Sequence, residues 1–202
     1  MKKDISNKAL AGLLIAAIVI SLSGTMMVFD KQGGITGFAT EQNGTAAINI
    51  SGIVSIALPQ NSIDFGTSSV VPPNTYCNVS YDSSSTTHEP AACGSWTGSG
   101  DIVVENDGNL DADITIKAKD AVADFIGGSS PGMFYKSDSV EGGSCTTPVA
   151  SYTELTTGAQ SFCGTLQFED STDTVELHLK LKIPSDAVGY KSNTLTFEAS
   201  AS

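Results

Sequence analysis

The sequence predicts an all-β protein, an antiparallel β-sandwich preceded by one N-terminal transmembrane or signal helix. Three observations predict it. The 21 residues from Ala9 to Phe29 carry no charge. After them, apolar and polar residues alternate with a period of two through much of the chain, as in strands that bury one face. Outside the first thirty residues no stretch sustains the 3.6-residue period of an amphipathic helix.

The N-terminal segment indicates where the rest of the chain works. Lysines at positions 2, 3 and 8 precede the uncharged run, and Asp30 follows it. As a helix rising 1.5 Å per residue, the run would cover about 30 Å, the thickness of a bilayer's hydrocarbon core. The positive-inside rule then places the N-terminus in the cytoplasm and the C-terminus outside. We expect residues 1–30 to be a retained anchor or, alternatively, a signal peptide cleaved before Gly24 or Thr40.

The rest of the chain divides into a tether and one domain. Residues 31–44 are rich in Gly and Thr, and residues 45–202 are enough for a single domain with one core. Beyond Asp30 there are seven lysines, twenty acidic residues and no arginine, which excludes a nucleic-acid partner. The expected partners are the membrane, through the N-terminal segment, and a second copy or an envelope protein or glycan.

The first predicted strand alternates between apolar and polar faces from Thr45 to Leu58, with a break near Gly52, and resumes after a turn at 59–61. Its apolar face is Ile48, Ile50, Val54, Ile56 and Leu58. Further along, Ile102–Glu105 and Ala112–Ala118 flank an Asp-Gly turn, which predicts a hairpin.

Two more alternating runs, Val175–Ile183 and Leu195–Ala199, predict the last strands. One short helix is expected around Asp120–Ile126. The segments 68–100 and 134–161 are interpreted as stapled loops or loop-strand insertions. With about seven or eight such strands, the pattern favours two sheets packed face to face, an immunoglobulin-like β-sandwich.

Two stretches carry a resemblance to a known class of proteins. The run Asp101–Ile116, and the segment Ile183–Tyr190 followed by the strand 193–199, resemble the turn and closing-hairpin motifs of prokaryotic cell-surface immunoglobulin-like proteins. With its apolar segment and tether, the chain resembles archaeal examples in particular. The resemblance implies exposure on the cell envelope and brings no catalytic residues with it.

The four cysteines form two local pairs, Cys77 with Cys93 and Cys145 with Cys163, each enclosing a loop rich in Ser, Thr and Gly. In an exported chain this spacing predicts two disulfides, although three connectivities are open. Nearest-neighbour pairing would staple each loop at its base. A zinc site is the weaker alternative because the spacing is not Cys-x-x-Cys.

The residues that could carry chemistry do not form a known catalytic motif. His88 falls in the first stapled loop, and His178 lies on the polar face of a strand beside Glu176 and Lys180. Neither accompanies a nucleophile in a recognisable pattern. We therefore expect a non-enzymatic protein with no catalytic residues, no cofactor and no metal.

One stretch is dense in oxygen ligands: Asn106, Asp107, Asn109, Asp111 and Asp113. A weak calcium site could use this spacing, but the positions do not fit an EF-hand loop. A tight Asp-Gly turn with solvated carboxylates is the simpler interpretation.

Three sequons, at Asn43, Asn49 and Asn78, are candidate glycosylation sites. Trp96, three residues after Cys93, has two interpretations. It could be a binding platform, or it could pack over the disulfide to fill the end of the sandwich.

These observations leave two functional hypotheses. The first is a structural or adhesive cell-envelope protein, displayed outside the membrane. The alternative is a secreted, pilus-like filament subunit, in which the segment Thr45–Leu58 adds as a strand to the next subunit.

Overall fold

The computed structural model describes residues 11–21, 48, 51–82 and 85–202. The chain forms two units, Met1–Asn49 and Ile50–Ser202. In the first unit, residues 11–21 form helix α1. Across the described ranges, no helix is both long enough and apolar enough to cross a membrane. The ends of the predicted anchor, the 31–44 tether and most of the segment from Thr45 to Ile50 lie outside the described residues.

The second unit is an all-β domain with one short helix, as expected. Its elements in the described residues are β1 (Ala57–Asp64), β2 (Tyr76–Asp82), β3 (Ser85–Glu89), β4 (Ser99–Glu105), β5 (Ala112–Ala118), α2 (Val122–Phe125), β6 (Gly132–Ser139), β7 (Thr153–Glu154), β8 (Gln160–Leu166), β9 (Thr174–Pro184) and β10 (Leu195–Ala201). Helix α2 confirms the helix expected around Asp120–Ile126.

The strands form two antiparallel sheets. The smaller has the order β10-β5-β8. The larger contains seven strands and is built around β9. Along one edge β9 pairs with β6, and β6 in turn pairs with β7. The opposite edge of β9 is shared: residues 174–176 pair with β4, and residues 179–184 pair with β2. Strands β1 and β3 flank β4 and β2 respectively, so the sheet branches along this edge of β9.

Side chains from both sheets meet in one core. The alternating residues Val175, Leu177, Leu179 and Leu181 of β9 are buried, and they share a cluster with Ile114 and Ile116 of β5 and Phe162 of β8. Burying each such side chain contributes about 1.5–3 kcal/mol. Two buried hydroxyls bind backbone across the layers: Tyr135 Oη donates to Ser161 O at 2.7 Å, and Ser137 Oγ donates to Phe162 O at 2.6 Å. This arrangement is compatible with a β-sandwich.

The predicted hairpin between β4 and β5 is wrong, because these strands lie in different sheets. Buried Asn106 explains the crossing. Its backbone N–H donates to Asp173 O at 3.0 Å, which holds it to the larger sheet at the start of β9. Its Nδ2 donates to Leu110 O at 2.9 Å and to Leu166 O at 3.2 Å, at the end of β8 in the smaller sheet. The closing hairpin between β9 and β10 is wrong for the same reason, since these strands also belong to different sheets.

The first strand also differs from its prediction. It begins at Ala57 and runs through the expected turn, with a register shift between Ala57 and Gln60 that accommodates Pro59 at the sheet edge. Residues 51–56 are not a strand. They are held by Asn109, whose Oδ1 accepts from Ile53 N at 2.6 Å and whose N–H donates to Ile53 O at 3.0 Å.

The burial along this segment does not follow the predicted apolar face. Val54 and Ile56 pack against the core as expected. Leu58 is 39% exposed, and Ile48 is 85% exposed.

The two segments interpreted as stapled loops or loop-strand insertions contain major strands of the larger sheet. Within residues 68–100, β2 pairs with β9 and places Cys77 and Val79 in the interior. Within residues 134–161 lies most of β6, which pairs with β9 over eight positions. Both strands carry Tyr and Ser, β2 also carries Cys, and β6 also carries Lys. These residues interrupt the alternation of aliphatic and polar side chains from which strands were predicted.

Replacing Asn106 with alanine would remove its side-chain bonds to both carbonyls of the sheet-crossing corner. We expect the free energy of unfolding to fall by about 2 kcal/mol, because buried carbonyls would lose their donors. Urea unfolding of Asn106→Ala against exposed Asp107→Ala checks this. Equal stabilities of the two variants would contradict the role assigned to Asn106.

Candidate functional site

The branch in the larger sheet gathers the most unusual polar groups in the described structure. His178 lies on β9 between the stretch paired with β4 and the stretch paired with β2. Asp82 ends β2, Asp101 belongs to β4, and Glu176 precedes His178 by two residues on the same face of β9. We call these four residues the branch-point cluster. The gap left where two strands share one edge is thus filled by titratable side chains.

His178 is buried on the outer face of the sheet, contrary to the solvated position predicted for it. It is 3% exposed. Its Nδ1 atom lies 2.8 Å from Asp82 Oδ1. The two groups are close, but they are not oriented to form a hydrogen bond. The other carboxylate oxygen of Asp82 lies 3.7 Å from Lys136 Nζ. Asp82 therefore links the imidazole to a lysine on β6, the strand on the opposite side of β9.

The acidic half of the cluster contains two carboxyl groups in contact. Burial raises the pKa of Asp101, and the charge of Glu176 together with a side-chain hydrogen bond to it raises that pKa further. Two carboxyl groups that share a site resist being ionised together. The same surroundings raise the pKa of Tyr81, chiefly by burial and then by the charges of Asp101 and Glu176.

Lysines and aromatic rings adjoin the cluster on the outer face. Lys180 Nζ lies 4.4 Å from the centre of the Tyr152 ring and 5.0 Å from that of Phe134. Lys182 Nζ lies 5.1 Å from the Tyr76 ring centre. These distances are within the range of cation–π attraction. Together they give an acidic protein one basic and aromatic surface, which we call the lysine–aromatic surface.

An open cavity of about 440 Å³ adjoins this surface where β2 begins and β9 ends. Its lining combines an exposed ring, an ammonium group, a carboxylate and several hydroxyls, from Thr75, Tyr76, Ser129, Ser130, Lys182, Ser185 and Asp186. Ser129 donates to Asp186 through its N–H at 2.9 Å and its hydroxyl at 2.7 Å. These bonds lower the pKa of Asp186. Such a lining suits small polar ligands.

The cysteines pair as Cys77–Cys93 and Cys145–Cys163, the nearest-neighbour connectivity. Trp96 is partly buried and packs against the cluster formed by the first disulfide and Val79. This packing is the second interpretation of Trp96 given above.

Three of the five candidate calcium ligands make hydrogen bonds within the protein. Asn106 and Asn109 bind backbone groups, as described above, and Asp113 accepts hydrogen bonds from Ser202 at 2.7 Å and Thr165 at 3.3 Å. In the described part of the chain, no group of three or more His, Cys, Asp or Glu residues is placed to hold a metal ion.

The other predicted site residues lie apart from the branch point. Asn78 sits on β2 between Glu89 of β3 and Lys182 of β9, and is partly buried. His88 lies on β3 opposite Val79. Asn43 and Asn49 fall outside the described residues. All three glycosylation sites stay predictions.

No protein-family model matches this chain, and no curated protein or solved structure is significantly similar to it. Any role of these surfaces must therefore be argued from their own chemistry.

The branch-point cluster could not be predicted from the sequence because its members come from three strands. The alternation predicted that His178, Glu176 and Lys180 share one solvated face of β9. They do share that face, but His178 is buried on it. A branched sheet leaves no periodic signal. The best sequence clue was the concentration of lysines at alternate positions of β9 in a chain with so few of them.

We expect Asp101→Asn to stabilise the protein near neutral pH by less than about 1 kcal/mol, since the site is partly solvated. The folded-state pKa of Asp101 is raised above its ordinary value of 3.8. Its contribution to stability is therefore present below that value and is lost as pH rises through the folded pKa. The stabilisation by Asp101→Asn should shrink on acidification. Thermal unfolding across acidic pH, with exposed Asp170→Asn as control, measures it; a pH-independent difference would contradict the assignment.

Proposed function

We propose that this protein is a non-enzymatic structural or adhesive component of the cell envelope, displayed outside the membrane on its N-terminal segment. The observation that carries the proposal is the pair of disulfides, which bond all four cysteines of the chain. Disulfides persist in oxidising compartments and are rare in the cytosol. Both close short loops, with sequence separations of 16 and 18, which is how small exported domains are stapled.

The sequence supports the same location independently. The uncharged run from Ala9 to Phe29 is long enough for an anchor, and the acidic body is suited to an aqueous exterior. We include in the proposal the immunoglobulin-like character of the domain, its archaeal affinity and its glycosylation. The two-layer core supports the first of these only at the level of architecture.

Adhesion would use the end of the domain that holds the cavity. The exposed Tyr76 ring, the Lys182 ammonium and neighbouring hydroxyls offer stacking, charge and hydrogen bonds within one recess. These are the groups that a polar glycan or an acidic protein surface would contact. The expected partner is therefore an envelope glycan or protein.

A filament subunit is the alternative, and Ile48 favours it. A large apolar side chain that is 85% exposed, in an alternating segment, is suited to cover by another chain. The donated segment must be shorter than Thr45–Leu58, however, because Ile53 is bound to Asn109 and Ala57 already pairs with Glu105 in the same chain.

Fractionation of the native host tests the main proposal. A membrane-displayed protein should be found in the envelope fraction, retain residues 1–30 by intact mass, and be cleaved by protease added to whole cells. A mass beginning at Gly24 or Thr40, with release into the medium, would favour a secreted protein. Recovery from the cytosol, protected from protease, would contradict both.

We expect no free thiol in protein isolated without reductant, and a lower thermal midpoint after reduction. Each disulfide closes a loop whose loss of entropy in the unfolded chain is worth about 3 kcal/mol. A thiol titration under denaturing conditions, followed by thermal unfolding with and without reductant, measures both. Four reactive thiols in untreated protein would remove the main support for an extracellular location.

A further inference from the structure

We propose that the outer edge of β10 receives residues 45–50 of a neighbouring copy as an added strand. The inference rests on the filament alternative and deepens it, because it names the receiving edge and limits the donor to six residues. If this contact does not exist, the proposal of surface display still stands, because that proposal depends on the location and the disulfides of the protein.

β10 is an edge strand of the smaller sheet. It pairs with β5 in unbroken register, from Leu195 opposite Ala118 to Ala201 opposite Ala112. β5 is bonded on its other side to β8. Over the ranges that the structure describes, no strand pairs with the second edge of β10.

The hydrogen bonds at the two ends of the β10–β5 pairing show which backbone groups of β10 face its outer edge. Lys119 N donates to Thr194 O at 2.8 Å, and Ser202 N donates to Asp111 O at 3.2 Å. Alternate residues of an antiparallel strand bond to the same neighbour, so the even-numbered residues of β10 bond to β5. The odd-numbered residues direct their N–H and C=O groups away from β5, and these are Leu195, Phe197, Ala199 and Ala201.

β10 lacks the features that usually protect an edge. Natural edge strands carry lysine, proline or a bulge that prevents another strand from pairing. β10 has neither residue, and its register is regular. Its one charged side chain, Glu198, is ion-paired with Lys117 of β5. The edge is therefore a template for strand addition.

The segment 45–50 matches this edge in composition and length. It is uncharged, and Ala46, Ile48 and Ile50 occupy alternate positions. Six extended residues cover about 20 Å, close to the length of a seven-residue strand. Added beside β10, its apolar row would continue the row of Leu195 and Phe197, which pack against the core.

A second β10 strand fits this edge less well than the donor segment. Antiparallel pairing of Leu195–Ala201 with itself would set two Glu198 side chains opposite each other at its centre, and like charges so placed are destabilising. The uncharged segment 45–50 brings no such repulsion. We therefore assign the edge to the segment of a neighbouring copy.

Photo-crosslinking of the full chain in detergent micelles tests the contact directly. A photoreactive phenylalanine analogue replaces Thr196 of β10, and equal amounts of isotopically heavy and light protein are mixed before irradiation. The proposal expects crosslinks from position 196 to residues 45–50 that join heavy to light chains. The same analogue at Thr87, an exposed position on the edge strand β3, is the matched control and should not capture this segment.

The outcomes separate the alternatives. Crosslinks confined to one isotope label would show that the segment binds within its own chain, and would overturn the proposal. Absence of crosslinks to residues 45–50, or equal capture at Thr87, would overturn it as well. None of these results bears on whether the protein is exported.

A proline at Ala199 tests the backbone chemistry. Its N–H points to the outer edge, so Ala199→Pro should keep the β5 ladder while removing one receiving donor and obstructing the new strand. Self-association measured by analytical ultracentrifugation should weaken at least about tenfold, whereas Ala199→Ser should associate like the parent protein. An unchanged thermal midpoint shows that the variant is folded. A folded Ala199→Pro that associates normally would overturn the proposal; if it is unfolded, the crosslinking decides.

Discussion

The architecture of the domain depends on β9, which carries both the core and the larger sheet. Its eleven residues are long enough for one edge to pair with β6 while the other pairs with two successive strands. Its alternating aliphatic residues supply the interior of the sheet, and its outward residues supply the polar face. Because β2 and β4 both pair with β9, the positions of these two strands in the sheet are set by one strand.

The branch on β9 also explains the polar cluster. Along β9, the pairing with β4 stops at residue 176 and the pairing with β2 starts at residue 179. The gap between these two strands is filled by the buried imidazole of His178 and by carboxyl groups. Asp82 lies between His178 and Lys136, and Asp101 shares its surroundings with Glu176. The cluster is thus a consequence of sheet topology before it is a site for anything else.

The sequence was sufficient for some of the elements and insufficient for their pairing. β5, β9, β10 and α2 were predicted close to their observed bounds because their periodicity is local. The predicted pairing of β4 with β5 was wrong, because the Asp-Gly turn between them was taken to join neighbouring strands of one sheet. At Asn106 the backbone N–H bonds the larger sheet and the side chain bonds the smaller one, and the side-chain contact spans sixty positions to Leu166. β2 and β6 were missed because aromatic and polar residues occupy their inward positions, where burial is decided by the neighbouring strands.

Charge and edge structure together determine how copies of this domain can meet. With a net charge of −12, two copies repel over most of their surfaces, and the repulsion is weakest where both surfaces are uncharged. The segment 45–50 carries no charge, and β10 carries one charged side chain, Glu198, which is ion-paired with Lys117 at an exposed position. Strand addition also forms directional backbone bonds, which generic apolar contact does not. In an acidic domain, a regular edge strand with little charge therefore favours an oriented contact between copies over nonspecific aggregation.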